Sequence, residues 1–133
     1  MPLIKSPGGS IYPYFYRDGE LFCLHYGSFH DDHSALRALM AREEEFVAAN
    51  LRHVPVWVDF YETKLTDRIL VDFVESMKRM LGGVSRLAVV GCSAWNRRRL
   101  RRLAARAGLT GAIPLEFFSD PEAAKSWLVG KRN

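Results

Sequence analysis

At 133 residues, with a net charge of +4, 48% hydrophobic and 26% charged residues, the chain has the composition of one folded domain, large enough to bury about two thirds of its unfolded surface without disulfides or metals. The frequent aromatics exclude disorder, and no run approaches the roughly 18 apolar residues of a helical membrane span. The pI of about 9.3 raises nucleic acid, membranes and acidic proteins as partners.

Residues 1–10 hold two prolines and two glycines and read as a flexible leader. They lack the continuous apolar core of a signal peptide. Cys23 and Cys92, both inside apolar runs, are expected as buried free thiols of a reducing compartment. A cytoplasmic location is the expectation.

Ile11 to Tyr16 and Leu21 to Tyr26 are aromatic-rich strand candidates, and Asp18-Gly19 between them predicts a hairpin. From Asp32 to Asn50, Leu36, Leu39, Met40, Phe46 and Val47 recur at helical spacing, with Glu43, Glu44 and Glu45 filling the gap. Ser28 with Asp31 resembles a capping pair ahead of this helix. Val54-Pro-Val-Trp-Val-Asp-Phe60 then reads as an apolar strand ending at an acid. The loop Tyr61 to Asp67 leads into a helix marked by Ile69, Leu70, Phe73, Val74, Met77, Met80 and Leu81. Thr66 or Asp67 is its expected N-cap, and Gly82-Gly83 its end.

Arg86 to Cys92 is short and lacks alternation, as expected of a parallel strand covered on both faces. A helix follows from about Trp95 to Ala107, then a strand from Ile113 to Phe118. Ser119-Asp-Pro-Glu122 starts a last helix with a cap, a proline in the first turn and an acid at the positive end of the dipole. The expected fold is one α/β domain over residues 11–129 with a tail at 130–133. An N-terminal hairpin is followed by strand-helix repeats in the order ββαβαβαβα, giving a mainly parallel sheet.

Arg86-Leu-Ala-Val-Val-Gly91 with Trp95 soon after, and Phe118 ahead of Asp120-Pro-Glu-Ala-Ala-Lys-Ser-Trp-Leu128, resemble the STAS domains (sulfate transporter and anti-sigma factor antagonist), in particular their compact SpoIIAA-like branch. The resemblance spans about Leu21 to Val129. It implies a superhelix of strand-helix turns and a non-catalytic regulator that binds a protein partner. In the anti-sigma antagonists a serine in the loop after the central strand is phosphorylated as a switch. Here Asp59 matches the strand's terminal acid and Asp67 falls near the second acid, but Arg68 stands where the phosphoacceptor is expected, and Thr63 and Thr66 are the hydroxyls in the loop. Cys92 stands where the branch often has an acid. The branch also resembles lipid-transfer folds, which implies the alternative of a carrier for a small hydrophobic ligand, with Met40, Phe73, Met77 and Met80 as pocket or core.

Loops leaving the ends of parallel strands share one edge. That edge gathers Ser28, His30, Cys92, Ser93 and Trp95 beside the loop of Asp59, Thr63, Thr66, Asp67 and Arg68. His30, Asp31, Asp32 and His33 have metal-ligand chemistry, but acids at a helix start are explained by the dipole, and no metal or other cofactor is expected. Asp59 or Glu62 facing His30 would make an acid-base pair. Cys92 ahead of a helix N-terminus is either an activated thiolate or a small packed residue. No segment names a reaction, and an enzyme is the third reading.

Between Glu75 and Glu116 there are nine cations and no acid, which leaves the rest of the chain at −5. Placing Leu100, Leu103, Ala104 and Ala107 inward puts Arg98, Arg101, Arg102 and Arg106 on the outer face, with Arg97 and Arg99 at its margins. This is either a solvated face or a surface for an acidic protein, or for a second copy through Glu43 to Glu45. A membrane surface lacks the apolar flank it would need, and nucleic acid lacks interleaved aromatics and a reader motif.

Overall fold

The computed structural model describes residues 3–130; residues 1–2 of the expected leader and 131–133 of the expected tail lie outside the described residues. The chain is α/β, with one compact body around a mostly parallel five-stranded sheet. The elements are β1 (Ile4–Lys5), β2 (Ile11–Tyr12), β3 (Tyr14–Tyr16), β4 (Gly19–His25), α1 (His33–Asn50), β5 (Val54–Asp59), α2 (Asp67–Arg79), β6 (Val84–Val90), α3 (Ala94–Arg106), α4 (Leu109–Ala112), β7 (Leu115–Phe118) and α5 (Pro121–Val129).

The main sheet runs β3-β4-β5-β6-β7, with β3 antiparallel to β4 and the rest parallel. The hairpin turns on Arg17-Asp18, one residue earlier than Asp18-Gly19: both have positive φ, 48° and 69°, and Tyr16 pairs with Gly19. Two consecutive positive φ values give the turn the twist that antiparallel strands need. The strand expected over Ile11 to Tyr16 is broken at Pro13, whose peptide bond to Tyr12 is cis; proline has no N–H to offer a ladder.

The expected loose leader is corrected as well. β1 pairs with β2 in a small separate sheet, and Ser6 and Ser10 are buried. The Ser10 hydroxyl donates to the Cys23 carbonyl at 2.5 Å, and Ser10 N–H to Ser6 Oγ at 3.1 Å. Buried hydroxyls with partners hold a stretch that glycine and proline content alone would leave free.

Parallel strands taken in sequence order force every crossover to the same side. α1, α2 and α3 therefore pack in a row on one face, and α5, which follows the last strand, returns across the other. On the first face Leu24, Val56, Val58, Leu87 and Val89 meet Leu36, Met40, Val47, Leu70, Phe73 and Met77. On the second, Leu21, Ala88 and Val90 meet Ala124 and Leu128. There the Lys125 ammonium lies 5.2 Å from the Trp57 ring centre and 5.6 Å from those of Tyr14 and Tyr16. β5 alternates between the two faces, and β6 is buried almost throughout.

Helix starts follow side-chain chemistry. Asp32 caps α1 through Ala35 N–H, in place of the Ser28/Asp31 pair; Ser28 and His30 have positive φ and belong to the preceding loop. Thr66 caps α2, Ser93 caps α3 and Asp120 caps α5. α4 has four residues, too short to give a periodic signal in sequence. Among the described residues no helix is long and apolar enough to cross a membrane.

Candidate functional site

The loops after β4 and β5 are joined by backbone hydrogen bonds that extend the sheet's pairing beyond its strands. Tyr26 N–H donates to Asp59 O at 3.0 Å, Ser28 N–H to Tyr61 O at 2.6 Å, His30 N–H to Glu62 O at 2.8 Å, and Lys64 N–H to His30 O at 2.7 Å. Such a doubled loop has few degrees of freedom left, so it presents its side chains from a rigid base.

Two glycines allow the close approach. A Cβ on Gly27 would sit 2.7 Å from Tyr61 O, and one on Gly91 would sit 2.7 Å from Tyr61 N and 3.0 Å from Phe60 C. The Phe60-Tyr61 backbone is thus held between the loops after β4 and β6.

Within this frame most of the expected switch residues have structural partners. Asp59 Oδ1 accepts from Tyr61 N–H at 2.9 Å. Thr63 Oγ1 donates to Tyr26 O at 2.6 Å and accepts from Phe29 N–H at 3.2 Å, stitching the two loops. Thr66 Oγ1 accepts from Ile69 N–H at 3.3 Å. Asp67 is exposed and forms an ion pair with Arg99, while the exposed Arg68 pairs with Asp72 at 3.5 Å. Ser28 Oγ donates to Glu62 Oε1 at 3.3 Å.

The Thr63 contacts carry a prediction. Thr63→Val removes the hydroxyl from a half-buried carbonyl and amide and is expected to cost about 1–3 kcal/mol, whereas Thr63→Ser keeps both bonds. Urea unfolding checks it: equal midpoints for the two variants would show that the hydroxyl does not pin the loops.

The chemical alternatives at the edge resolve into contacts. Glu62 turns to Ser28, and His30 is tied to the neighbouring loop through its backbone. Cys92 is buried in the main core, and burial pushes its thiol up to about 12, with Arg97 pulling the other way more weakly. Of the two alternatives for Cys92, an activated thiolate and a small packed residue, its burial favours the second. Ser93 Oγ accepts from Asn96 N–H at 3.2 Å. Among the described residues no three His, Cys, Asp or Glu side chains converge as a metal-ligand group.

The arginines of α3 divide by partner. Arg97 donates to Cys92 O at 3.2 Å and to Ser119 Oγ at 3.0 Å. Arg101 reaches Glu116 at 3.4 Å and lies 4.8 Å from the Phe117 ring centre. Arg98, Arg102 and Arg106 are exposed and have no ion pair among the described residues. Beside them Trp95 is 64% exposed. Trp95, Arg99, Arg102, Leu103, Arg106 and Asp67 line an open cleft of about 530 Å³ between α3 and the start of α2.

This cleft joins two regions that the sequence presents separately, the loop ending at Asp67 and the basic helix. Sequence reading places Arg99 at the margin of the basic face; its contact with Asp67 across two helices carries no local signal. The acids of α1 also depart from expectation. Glu43 is fully buried, and Glu44 is bound by Arg79 at 2.7 Å and Ser76 at 2.7 Å. Of the three, Glu45 alone is exposed, so they form no continuous acidic stripe on the surface of α1. No protein-family model, curated protein or solved structure matches this chain.

Proposed function

We propose that this chain is a non-catalytic, cytoplasmic regulatory module that binds an acidic protein partner in a STAS-like manner, at the strand-end edge and the adjoining face of α3. The observation that carries the reading is the exposed Trp95 grouped with Arg98, Arg102 and Arg106, none of these arginines having a carboxylate partner among the described residues, next to the N-terminus of α2. Like charges at helical i,i+4 spacing cost about 0.2–0.5 kcal/mol per pair, and an acidic partner offsets that cost. The sequential order of β4 to β7, each strand followed by a helix, supports a strand-helix superhelix of the kind the STAS resemblance implies.

If the module is switched by phosphorylation, Thr66 is the acceptor this reading selects over Thr63. Thr63 spends its hydroxyl between the two loops. A phosphate on Thr66 would lie at the α2 N-terminus, where the helix dipole favours negative charge, one residue from Asp67 and its partner Arg99. The carrier reading draws no support from Met40, Phe73, Met77 and Met80, which are buried in the main core.

The test is quantitative co-purification of the wild-type chain and an Arg98→Glu/Arg102→Glu/Arg106→Glu variant from the native host, with intact-mass measurement of each. A protein that follows the wild type and is lost from the variant is the expected result. Identical recoveries, or substrate turnover abolished by Asp59→Ala, would overturn the proposal.

A further inference from the structure

Trp95, Arg99, Arg102 and Arg106 are separated by four, three and four residues along α3. On a helix with 3.6 residues per turn that spacing holds four side chains within one narrow stripe, about 16 Å long at 1.5 Å per residue. It is the spacing along which a second helix packs, since alternating steps of three and four keep one seam facing a partner. Seams of this kind are ordinarily apolar. Here three of the four positions are arginine, and α3 contains no acid from Ala94 to Arg106.

We infer that this seam is the docking site for an acidic helix of a different protein, with carboxylates facing Arg102 and Arg106 and an apolar side chain resting on Trp95. The inference rests on the partner-binding reading above and names the shape and chemistry of the partner. Arg99 is already neutralised by Asp67 from α2 and forms the wall of the cleft rather than its open charge. Arg102 and Arg106 are exposed with no ion pair among the described residues. Their guanidinium groups each offer a planar fork to a carboxylate, and carboxylates spaced four residues apart on a helix match the Arg102-Arg106 interval.

Competing occupants fit less of the stripe. Single-stranded nucleic acid is held by successive stacking platforms, and Trp95 is the one aromatic in the seam. A membrane surface calls for an exposed apolar flank beside the basic one, and on this face Leu103 is half-buried, which leaves Trp95 as the exposed apolar side chain. Among the α1 acids of a second copy, Glu43 is buried, Glu44 is held by Arg79 and Ser76, and Glu45 alone is exposed, so that helix offers no pair of carboxylates for Arg102 and Arg106.

The test is fluorescence anisotropy with a labelled synthetic helical peptide carrying Glu at the four-three-four positions and Leu opposite Trp95, against the same peptide with Gln for Glu. Oligo-dT and phosphatidylserine vesicles are titrated in parallel. The Glu peptide is expected to bind at least about tenfold more tightly than the Gln peptide, and more weakly as salt rises. Arg102→Glu/Arg106→Glu is expected to reverse the preference in favour of a Lys-substituted peptide. Both positions are exposed, and an unchanged circular dichroism spectrum verifies the fold. Equal binding of the Glu and Gln peptides, or tighter binding of oligo-dT or vesicles, would overturn the inference. If co-purification still distinguishes the triple arginine variant while the peptide does not bind, the helical seam is wrong and the partner-binding module stands; loss of both removes both.

Discussion

Gly91→Ala is expected to lower the melting temperature by at least about 8 °C, while Gly82→Ala leaves it within about 2 °C of the wild type. Gly91 has φ +90°, a conformation that L side chains rarely adopt, and the added Cβ would meet Tyr61 N at 2.7 Å, Phe60 C at 3.0 Å and Phe60 N at 3.2 Å. All three are backbone atoms, so no side chain can swing aside. Strain of about 1–3 kcal/mol from the dihedral adds to an overpacking cost of about 1–3 kcal/mol. Gly82 is the matched control, because a Cβ there meets nothing within 4 Å. The consequence reaches the site, since the Phe60-Tyr61 backbone displaced by the new methyl anchors the loop that leads to Thr66 and Asp67. Calorimetry on the two variants decides it, and equal melting temperatures would show that the loops are not held between Gly27 and Gly91.

Glu43→Gln is expected to abolish a loss of stability between pH 5 and pH 8. Glu43 is fully buried on α1, accepts from Ser6 Oγ at 3.2 Å and from the Gly8 N–H, and leaves Oε1 without a partner. Tyr26, the residue just after β4, is buried beside the α1 acids with its own hydroxyl unpartnered. Burial pushes the Glu43 carboxyl from 4.5 up to about 7, against weaker opposing pulls from Ser6, Gly8 and Arg42. An acid whose folded pKa is raised holds its proton in the native state after the unfolded chain has released it. Native stability then falls as pH rises from about 4.5 to about 7 and stays low above that.

The full loss is on the order of 3 kcal/mol. Glu44 works in the opposite sense: its carboxyl is held low by hydrogen bonds from Arg79 and Ser76, which outweigh its partial burial. The stability it contributes is lost as pH falls below its ordinary range, outside the window measured. Gln keeps an acceptor oxygen for Ser6 and Gly8 and carries no charge, so the variant should match the wild type near pH 5 and exceed it at pH 8. Urea midpoints across that range are the measurement, and an unchanged slope in the variant would place the titrating group elsewhere.

Local pattern was enough for the elements that dominate the fold. Val54, Val56 and Val58 alternate with Pro55, Trp57 and Asp59, and the strand they mark lies at the centre of the sheet with its two sets of side chains on opposite faces. The helix marked by Ile69, Leu70, Phe73, Val74 and Met77 is found with those residues buried. Glu43 was legible by position and obscured by chemistry. It occupies the inward stripe with Leu36, Met40 and Val47, but the first carboxylate of a run of three reads as solvent-facing until Ser6 and Gly8 are seen to cover it. Thr66 stands out in sequence as a candidate helix cap, whereas Thr63 carries no local signal; only the neighbouring loop shows that its hydroxyl is bonded on both sides.

The sequence by itself determined the α/β class, the run of strand-helix repeats, the outward face of Arg98, Arg101, Arg102 and Arg106, a cap at Thr66 or Asp67, and a cap before α5. These depend on interactions within a few residues, and hydrophobic period and side-chain capping are written at that range. Tertiary structure alone decided that Arg99 meets Asp67, that Arg101 is committed to Glu116 while Arg102 and Arg106 are left without an acid, and that Trp95 opens onto a cleft shared with α2. Those outcomes depend on which helices and strands the sheet places side by side. The parallel order of β4 to β7 puts α2 next to α3 and β7 beside α3, and a pairing between side chains on different elements leaves no trace in the local pattern of either one.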